Sequence, residues 1–297
     1  MSRSFTLIDF AQIILIALIW GLNNIAAKIA VMAFPPLFSL VLRFAVVALA
    51  LLPWFRLPPA GAWKPVGLMI LCIGICHFGV QYVGLAMAHQ LAPLVVGMQL
   101  WAPFSVLYAR LFLAETISPL RLAGVLCAFA GVAGMSFDPA VFAELIPLAL
   151  IVFAASSYAL GAVVVRRMPS VSAMAMQAWL AMALTPTLGL GSALFEHGQI
   201  NAALHAGWLP WACVLFGAFA SSLIANYLMF RLVQRYQVAR ITPYLLLSPV
   251  VAFLLSAPVF GDHITPQIAL GGAATLIGVV LVAAAERRFT YVSRKTS

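Results

Sequence analysis

Trp20, Asn24 and Lys28 recur at four-residue intervals, as do Tyr244 and Ser248, so in helical segments each set lies on one face. Similar side chains interrupt other apolar runs: His77, Gln81 and Tyr82; Met98, Gln99, Trp101 and Ser105; Ser156, Ser157 and Tyr158; Ser221, Ser222, Asn226 and Tyr227. Amides and hydroxyls can meet both an ammonium and a carboxylate, and Trp and Tyr rings offer stacking faces. The set suits a zwitterion with an apolar or aromatic side chain. It does not suit catalysis: no G-x-S-x-G occurs, and no Asp or Glu falls inside an apolar run to form a protease pair or a diphosphate–metal site. Cys72, Cys76, Cys127 and Cys213 show no metal-finger spacing and read as small buried hydrophobes. Neither metal nor cofactor is expected.

The runs that carry these residues define the class. The 297-residue chain is 65% hydrophobic and 8% charged, whereas soluble domains are about 45–50% apolar and about 25% charged. This excludes soluble enzymes and nucleic-acid modules, and the net charge of +9 becomes a question of topology. A membrane helix needs about 20 apolar residues, and breakers and charges divide the chain into ten such spans. They are Ile8 to Met32, Pro36 to Phe55, Pro65 to Ala88, Ala92 to Leu113, Pro119 to Met135, Leu145 to Val165, Val171 to Phe195, Trp208 to Val233, Ile241 to Phe260 and Pro266 to Ala285. Barrel strands would alternate apolar and polar residues; these runs are apolar all round, which predicts an all-α polytopic membrane protein.

Lys and Arg accumulate on the cytoplasmic side of a membrane. Ten spans put Arg3, Arg56, Lys64, Arg110, Arg121, Arg166, Arg167, Arg231, Arg235, Arg240, Arg287, Arg288, Arg294 and Lys295 on one side. The opposite loops hold Asp138, Glu144, Glu196 and Asp262 and no Lys or Arg. Both termini are therefore expected in the cytoplasm.

The second half of the chain echoes the first. The stretch from Glu115 to Val132 aligns with Asp262 to Val279 at an offset of 147, pairing Ile117, Pro119, Gly124 and Gly131 with Ile264, Pro266, Gly271 and Gly278. Pro103 meets Pro249, Tyr82 meets Tyr227, and Trp20 to Lys28 lies on Tyr158 to Arg166. These are two five-helix units, residues 1–137 and 138–297. Five is odd, so the second unit must enter the membrane from the opposite side. Inverted repeats place a substrate site near the membrane midplane, where rocking one half against the other alternates access.

On these residues the chain resembles the EamA branch of the drug/metabolite transporter superfamily. The likeness covers nearly the whole chain. It rests on Trp20-Gly21 with Lys28, on Arg43-Phe44, on the acidic turns Glu115-Thr-Ile-Ser-Pro and Asp262-His-Ile-Thr-Pro, and on Arg166-Arg167. The resemblance implies two inverted bundles, a central cavity lined by helices 1, 3, 4, 6, 8 and 9, and export of amino acids or related metabolites. It is nearest to bacterial inner-membrane exporters of aromatic and other neutral amino acids, although Tyr158 stands where Trp is usual. The substrate site then comprises Trp20, Asn24, Lys28, His77, Tyr82, Met98, Gln99, Trp101, Tyr158, Asn226, Tyr227, Tyr244 and Ser248, in a monomer embedded in the lipid bilayer. Phosphorylated-sugar or nucleotide-sugar transport by the same fold, and proton-coupled drug or metabolite export, are the alternatives.

Two cations lie inside spans. Lys28 and Arg43 fall about 6–10 Å from the external ends of their helices. Lys28 either snorkels outward or neutralises the C-terminal carbonyls of helix 1, or else attracts a substrate carboxylate; Arg43, on helix 2 outside the expected cavity, reads as a packing or topological residue. With every Asp and Glu at a helix end or in a loop and none at mid-span to relay protons, facilitated export down the substrate gradient is expected. His77 is the minor route to proton coupling.

Overall fold

In lipid every backbone N–H and C=O must be satisfied within the segment itself, so apolar runs of this length become helices. The computed structural model describes residues 6–113, 117–166, 168, 171–235, 244–245 and 247–293. Among the described residues nine helical stretches are long and apolar enough to cross a membrane, and Leu247–Phe260 is a shorter apolar helix. The Glu115 turn, Arg3, Arg167, Arg240, Arg294, Lys295 and the expected opening of the ninth span at Ile241 lie outside the described residues.

The helices are α1 Leu7–Ala33, opened by a Thr6–Asp9 capping box, and α2 Pro36–Leu51 with a 3₁₀ turn at Leu52–Trp54. Helix α3 runs through Trp63–Met69, a π-helical stretch Ile70–Gly79 and Val80–Met87. Helix α4 is broken into Ala92–Met98 and Trp101–Leu113. Then come α5 Pro119–Ser136, α6 Leu145–Arg166 and α7 Ala173–Phe195. Helix α8 runs through Trp208–Phe216, a π-helical Gly217–Ala225 and Asn226–Arg235; α9 is Leu247–Phe260 and α10 is Pro266–Ser293. Short helices Pro139–Phe142 and Gln199–His205 lie in loops.

Segments that align in the sequence have matching packing partners. Helix α1 packs on α9 and on the π stretch of α8, and its counterpart α6 packs likewise on α4 and on the π stretch of α3. Helix α2 pairs with its equivalent α7, and α5 with α10. At the α5–α10 contact the aligned glycines face one another: a Cβ on Gly124 would lie 2.7 Å from the Gly278 carbonyl, and one on Gly131 2.5 Å from the Gly271 carbonyl. Thr275, equivalent to Ala128, donates from Oγ1 to the Ala128 carbonyl at 3.4 Å, and the Cys127 thiol donates to the Ala274 carbonyl at 3.3 Å. A pairing of 124 with 278 and 131 with 271 is antiparallel and self-reciprocal, the signature of a local two-fold axis. Both π stretches also occupy equivalent positions. Each closes on a three-residue-back bond, Val80 N–H to the His77 carbonyl and Asn226 N–H to the Leu223 carbonyl.

Large apolar side chains such as Leu49, Leu194 and Leu270 stay exposed on the outside of the bundle, where hydrocarbon rather than water is their solvent. The main core lies where α2 and α7 bring Leu40, Phe44, Val47, Leu184 and Leu188 against Leu85, Leu91 and Leu94.

One end of the bundle is closed by carboxylates that accept from backbone N–H groups of other elements. Asp262 Oδ2 accepts from Leu91 at 2.8 Å and Ala92 at 2.7 Å, and Glu144 Oε1 from His89 at 2.9 Å and Gln90 at 3.0 Å. Glu196 accepts from Leu37 at 2.7 Å and Phe38 at 3.0 Å, where α2 begins. Lys28 Nζ donates to the Leu85 carbonyl at 2.7 Å and to the Ala88 carbonyl. The α3–α4 turn is thus clasped by one cation from the first half and two carboxylates from the second. Asp262→Ala should leave the Leu91 and Ala92 amides without their acceptor. A charged hydrogen bond contributes about 1.5–3 kcal/mol, so peptides covering residues 88–95 should exchange deuterium at least about tenfold faster, with the rest of the protein unaltered. Unchanged exchange there would show that the clasp does not hold the turn.

Candidate functional site

The break in α4 follows from Pro103. Proline removes its own N–H and crowds the carbonyl four residues back, which is that of Gln99. The chain responds with three-residue bonds: Gln99 N–H to Val96, Leu100 N–H to Gly97 and Ala102 N–H to Gln99, at 3.0, 3.1 and 3.2 Å. Met98 and Trp101 are thereby set on either side of a local unwinding, and the Gln99 amide donates to the Val95 carbonyl at 3.3 Å. Unwound helices at mid-membrane are where transporters of inverted-repeat architecture place their sites.

Opposite the break stands the π stretch of α3. It carries His77, whose Nδ1 lies 3.1 Å from the Ala154 carbonyl of α6. The His77 ring is 4.8 Å from that of Tyr158, and Tyr158 meets Trp101 edge-on at 5.8 Å. Nearby, Tyr108 on α4 and Ser156 on α6 share a 2.5 Å hydrogen bond. Helices α3, α4 and α6 therefore build one aromatic wall from three of the residues singled out in the sequence. π-Helical geometry is rare and concentrates at functional positions, and this stretch holds His77 against α6.

Beside this wall lies a narrow cleft, a void of only about 10 Å³ with room for about one water, lined by Asn24, Gln81, Leu85, Leu91, Leu94, Val95, Met98 and Ile151. Ligand pockets usually occupy about 300–1,000 Å³, so admitting an aromatic solute requires the lining helices to part. The α3–α4 turn clasped by Lys28, Glu144 and Asp262 roofs the cleft. Asn24 keeps one amide hydrogen on the Trp20 carbonyl at 2.9 Å, leaving its other polar atoms for the cleft.

The remaining expected residues fall elsewhere. Trp20 packs with Ile16, Ile19 and Ala225 rather than with Trp101. Ser248 is buried where α9 presses on α1, its carbonyl 2.8 Å from where a Cβ on Gly21 would be. Tyr227 is half exposed, and Tyr244 stands edge-on to Phe10 at 5.7 Å, near the start of α1. Lys28 neither snorkels outward nor caps helix 1: it is buried, with its ammonium on the carbonyls at the end of α3 already described. Tyr82 is buried and accepts from Arg43 Nη1 at 2.9 Å. Asn226 donates to Gln177 Oε1 at 3.1 Å, and Gln177 donates to the Ser222 carbonyl. Gln177 on α7 was not among the expected residues, although a lone amide in an apolar span is the same signal that selected Gln99. Arg43, on a helix outside the expected cavity lining, reaches α3 and α8 with its side chain.

Comparison with known proteins agrees with this architecture. The model of the EamA-like transporter family matches residues 10–137 and again 142–284. A "Probable amino-acid metabolite efflux pump" of Escherichia coli (strain K12) is 24% identical over 286 residues, 92% of this chain and 94% of its own. A protein of the same description from Salmonella typhimurium (strain LT2) is 24% identical over 282 residues, 90% of this chain and 92% of its own. A solved crystal structure shares the fold with a TM-score of 0.64 at 20% identity, over 96% of this chain and 98% of its own. An all-helical bundle with two matched halves, each bearing the family's pattern, places the chain in the EamA-like transporter family.

Proposed function

We propose that the protein exports neutral and aromatic amino acids, or closely similar metabolites, across a bacterial inner membrane by alternating access. The observation that carries this reading is the wall of His77, Tyr158 and Trp101 beside a cleft whose polar side chains, Asn24 and Gln81, are uncharged amides. Such a lining favours an aromatic zwitterion over a phosphorylated solute, which needs several converging cations. The similarity to proteins described as amino-acid metabolite efflux pumps supports the same class. The charge pattern supports cytoplasmic termini and, with them, an external position for the clasped α3–α4 turn. A single chain carries both halves of the repeat, so one molecule suffices for a pathway. Residues 1–137 and 138–297 are then the two halves that rock.

Mechanistically, release of the clasp and parting of α3, α4 and α6 would widen the cleft toward the outside. Among the described residues the carboxylates sit at span ends or in loops, Asp9 in the capping box that opens α1, and none stands at mid-span to carry a proton, so the substrate gradient itself is the driving force. Purified protein in liposomes loaded with unlabelled L-phenylalanine should accumulate labelled L-phenylalanine by counterflow, with no pH gradient or membrane potential and with no uptake of labelled glucose 6-phosphate. Uptake of the sugar phosphate instead would overturn the substrate class. Strict dependence on an imposed proton gradient would overturn the energetics.

A further inference from the structure

Arg43 is 4% exposed in the middle of α2. Its guanidinium donates from Nε and Nη2 to Ser222 Oγ at 3.2 and 3.0 Å, from Nη2 to Ser221 Oγ at 3.4 Å and from Nη1 to Tyr82 Oη at 2.9 Å, while its Cζ lies 5.8 Å from the Phe78 ring centroid. Among the described residues no carboxylate meets it. A buried charge in a membrane is costly unless an opposite charge or a full set of acceptors compensates it, and three neutral hydroxyls supply no charge. They also create a second deficit. Each hydroxyl accepts from the arginine and so turns its own O–H hydrogen away from it, and among the described residues these hydrogens meet no acceptor. Asn23 Oδ1, a buried acceptor with no partner among the described residues, lies beside Gly217, whose Cβ position is 3.4 Å from Arg43 Cδ and Nε, and offsets only one of these donors. The cluster is therefore rich in donors, carries one net positive charge, and lacks an anion with two oxygens.

Its position suits a transported ligand. Tyr82 adjoins Gln81 of the cleft, Phe78 adjoins His77 of the aromatic wall, and Ser221 and Ser222 lie on the π stretch of α8, equivalent to the π stretch that carries His77. The site joins α2 and α3 of the first half to α8 of the second. An anion held there would bind the two halves together, a contact that differs between the states of a rocking carrier.

The geometry points to a carboxylate-binding subsite formed by Arg43, Tyr82, Ser221 and Ser222, which receives the carboxylate of the transported amino acid. The identity of that ligand rests on the function proposed above; the anion chemistry does not. Two measurements separate them. Thermal unfolding of the purified protein is followed with 3-phenylpropionate, a carboxylate without an ammonium, and with phenethylamine, the reverse. The carboxylate should stabilise the parent and the amine should not. The apparent affinity for 3-phenylpropionate should fall at least about tenfold in Arg43→Gln and in the Ser221→Ala/Ser222→Ala double variant, the second serving if the first does not fold. Equal affinity in the folded variants, or no stabilisation of the parent by the carboxylate, overturns the subsite. Loss of carboxylate affinity in Lys28→Met with retention in the arginine and serine variants also overturns it, by moving the carboxylate to Lys28. Binding of 3-phenylpropionate lost in these variants, in a parent that shows no L-phenylalanine counterflow, upholds the subsite and overturns only the amino-acid reading.

Discussion

Gly131→Leu should leave little folded protein, whereas Gly134→Leu, three residues along the same helix, should be tolerated. A Cβ on Gly131 would stand 2.5 Å from the Gly271 carbonyl, 2.5 Å from Thr275 Oγ1 and 2.6 Å from Thr275 N, while one on Gly134 meets nothing within 4 Å. The obstacles at Gly131 are mostly backbone atoms of α10, which cannot move aside as a flexible side chain does. Inserting methylenes into a close-packed contact costs about 1–3 kcal/mol and more where nothing can yield. In a membrane that loss is serious, because helices there associate through close approach of small residues. The substitution must push α5 and α10 apart and break the Thr275 and Cys127 bonds across the axis. The test is the yield of monodisperse protein in mild detergent and its unfolding temperature. Gly134→Leu should lie within about 0.5 kcal/mol of the parent, as surface changes do. Two equally stable variants would mean that the α5–α10 contact does not hold the halves together.

The same glycines show what a sequence can and cannot disclose. Gly124, Gly131, Gly271 and Gly278 are conspicuous because they recur at one offset, and a backbone contact needs glycine wherever it falls. Length and apolar content fixed the spans for the same reason: depth in a membrane is read from one dimension. Azimuth is not. A helix that is apolar all round gives no stripe to say which face turns inward, and so Tyr227 and Tyr244, at plausible depth, come out half exposed, while Arg43 reaches between α3 and α8. The π stretches at Ile70–Gly79 and Gly217–Ala225 were illegible for a related reason. Their wider turn changes which residues align, but in runs such as "ILCIGICHFG" nearly every residue is apolar and no period stands out. Pro103, by contrast, announces the break in α4, since its missing N–H must interrupt the bond to Gln99 in any helix.

Trp101→Ala should reduce transport per folded molecule by about 5- to 150-fold, the range that corresponds to losing about 1–3 kcal/mol of buried aromatic contact. Trp101 is placed by the α4 break and stands edge-on to Tyr158 at 5.8 Å, which in turn leans on His77. The substitution removes the outer member of that wall while leaving both halves of α4 and the bonds of Gln99, Leu100 and Ala102 in place. Two other tryptophans separate a binding role from a structural one. Trp208 is 79% exposed at the start of α8, so Trp208→Ala should alter neither transport nor stability. Trp179 is buried and donates from Nε1 to the Arg56 carbonyl at 2.6 Å; Trp179→Ala should lower the folded yield by creating a cavity and stranding that carbonyl, with transport per folded molecule near the parent value. Trp101→Phe, which keeps an aromatic ring at the wall, should recover most of the lost rate. Counterflow of L-phenylalanine normalised to monodisperse protein provides the measurement. Parent-level transport in Trp101→Ala would remove α4 from the substrate path and with it the aromatic wall on which the proposed site depends.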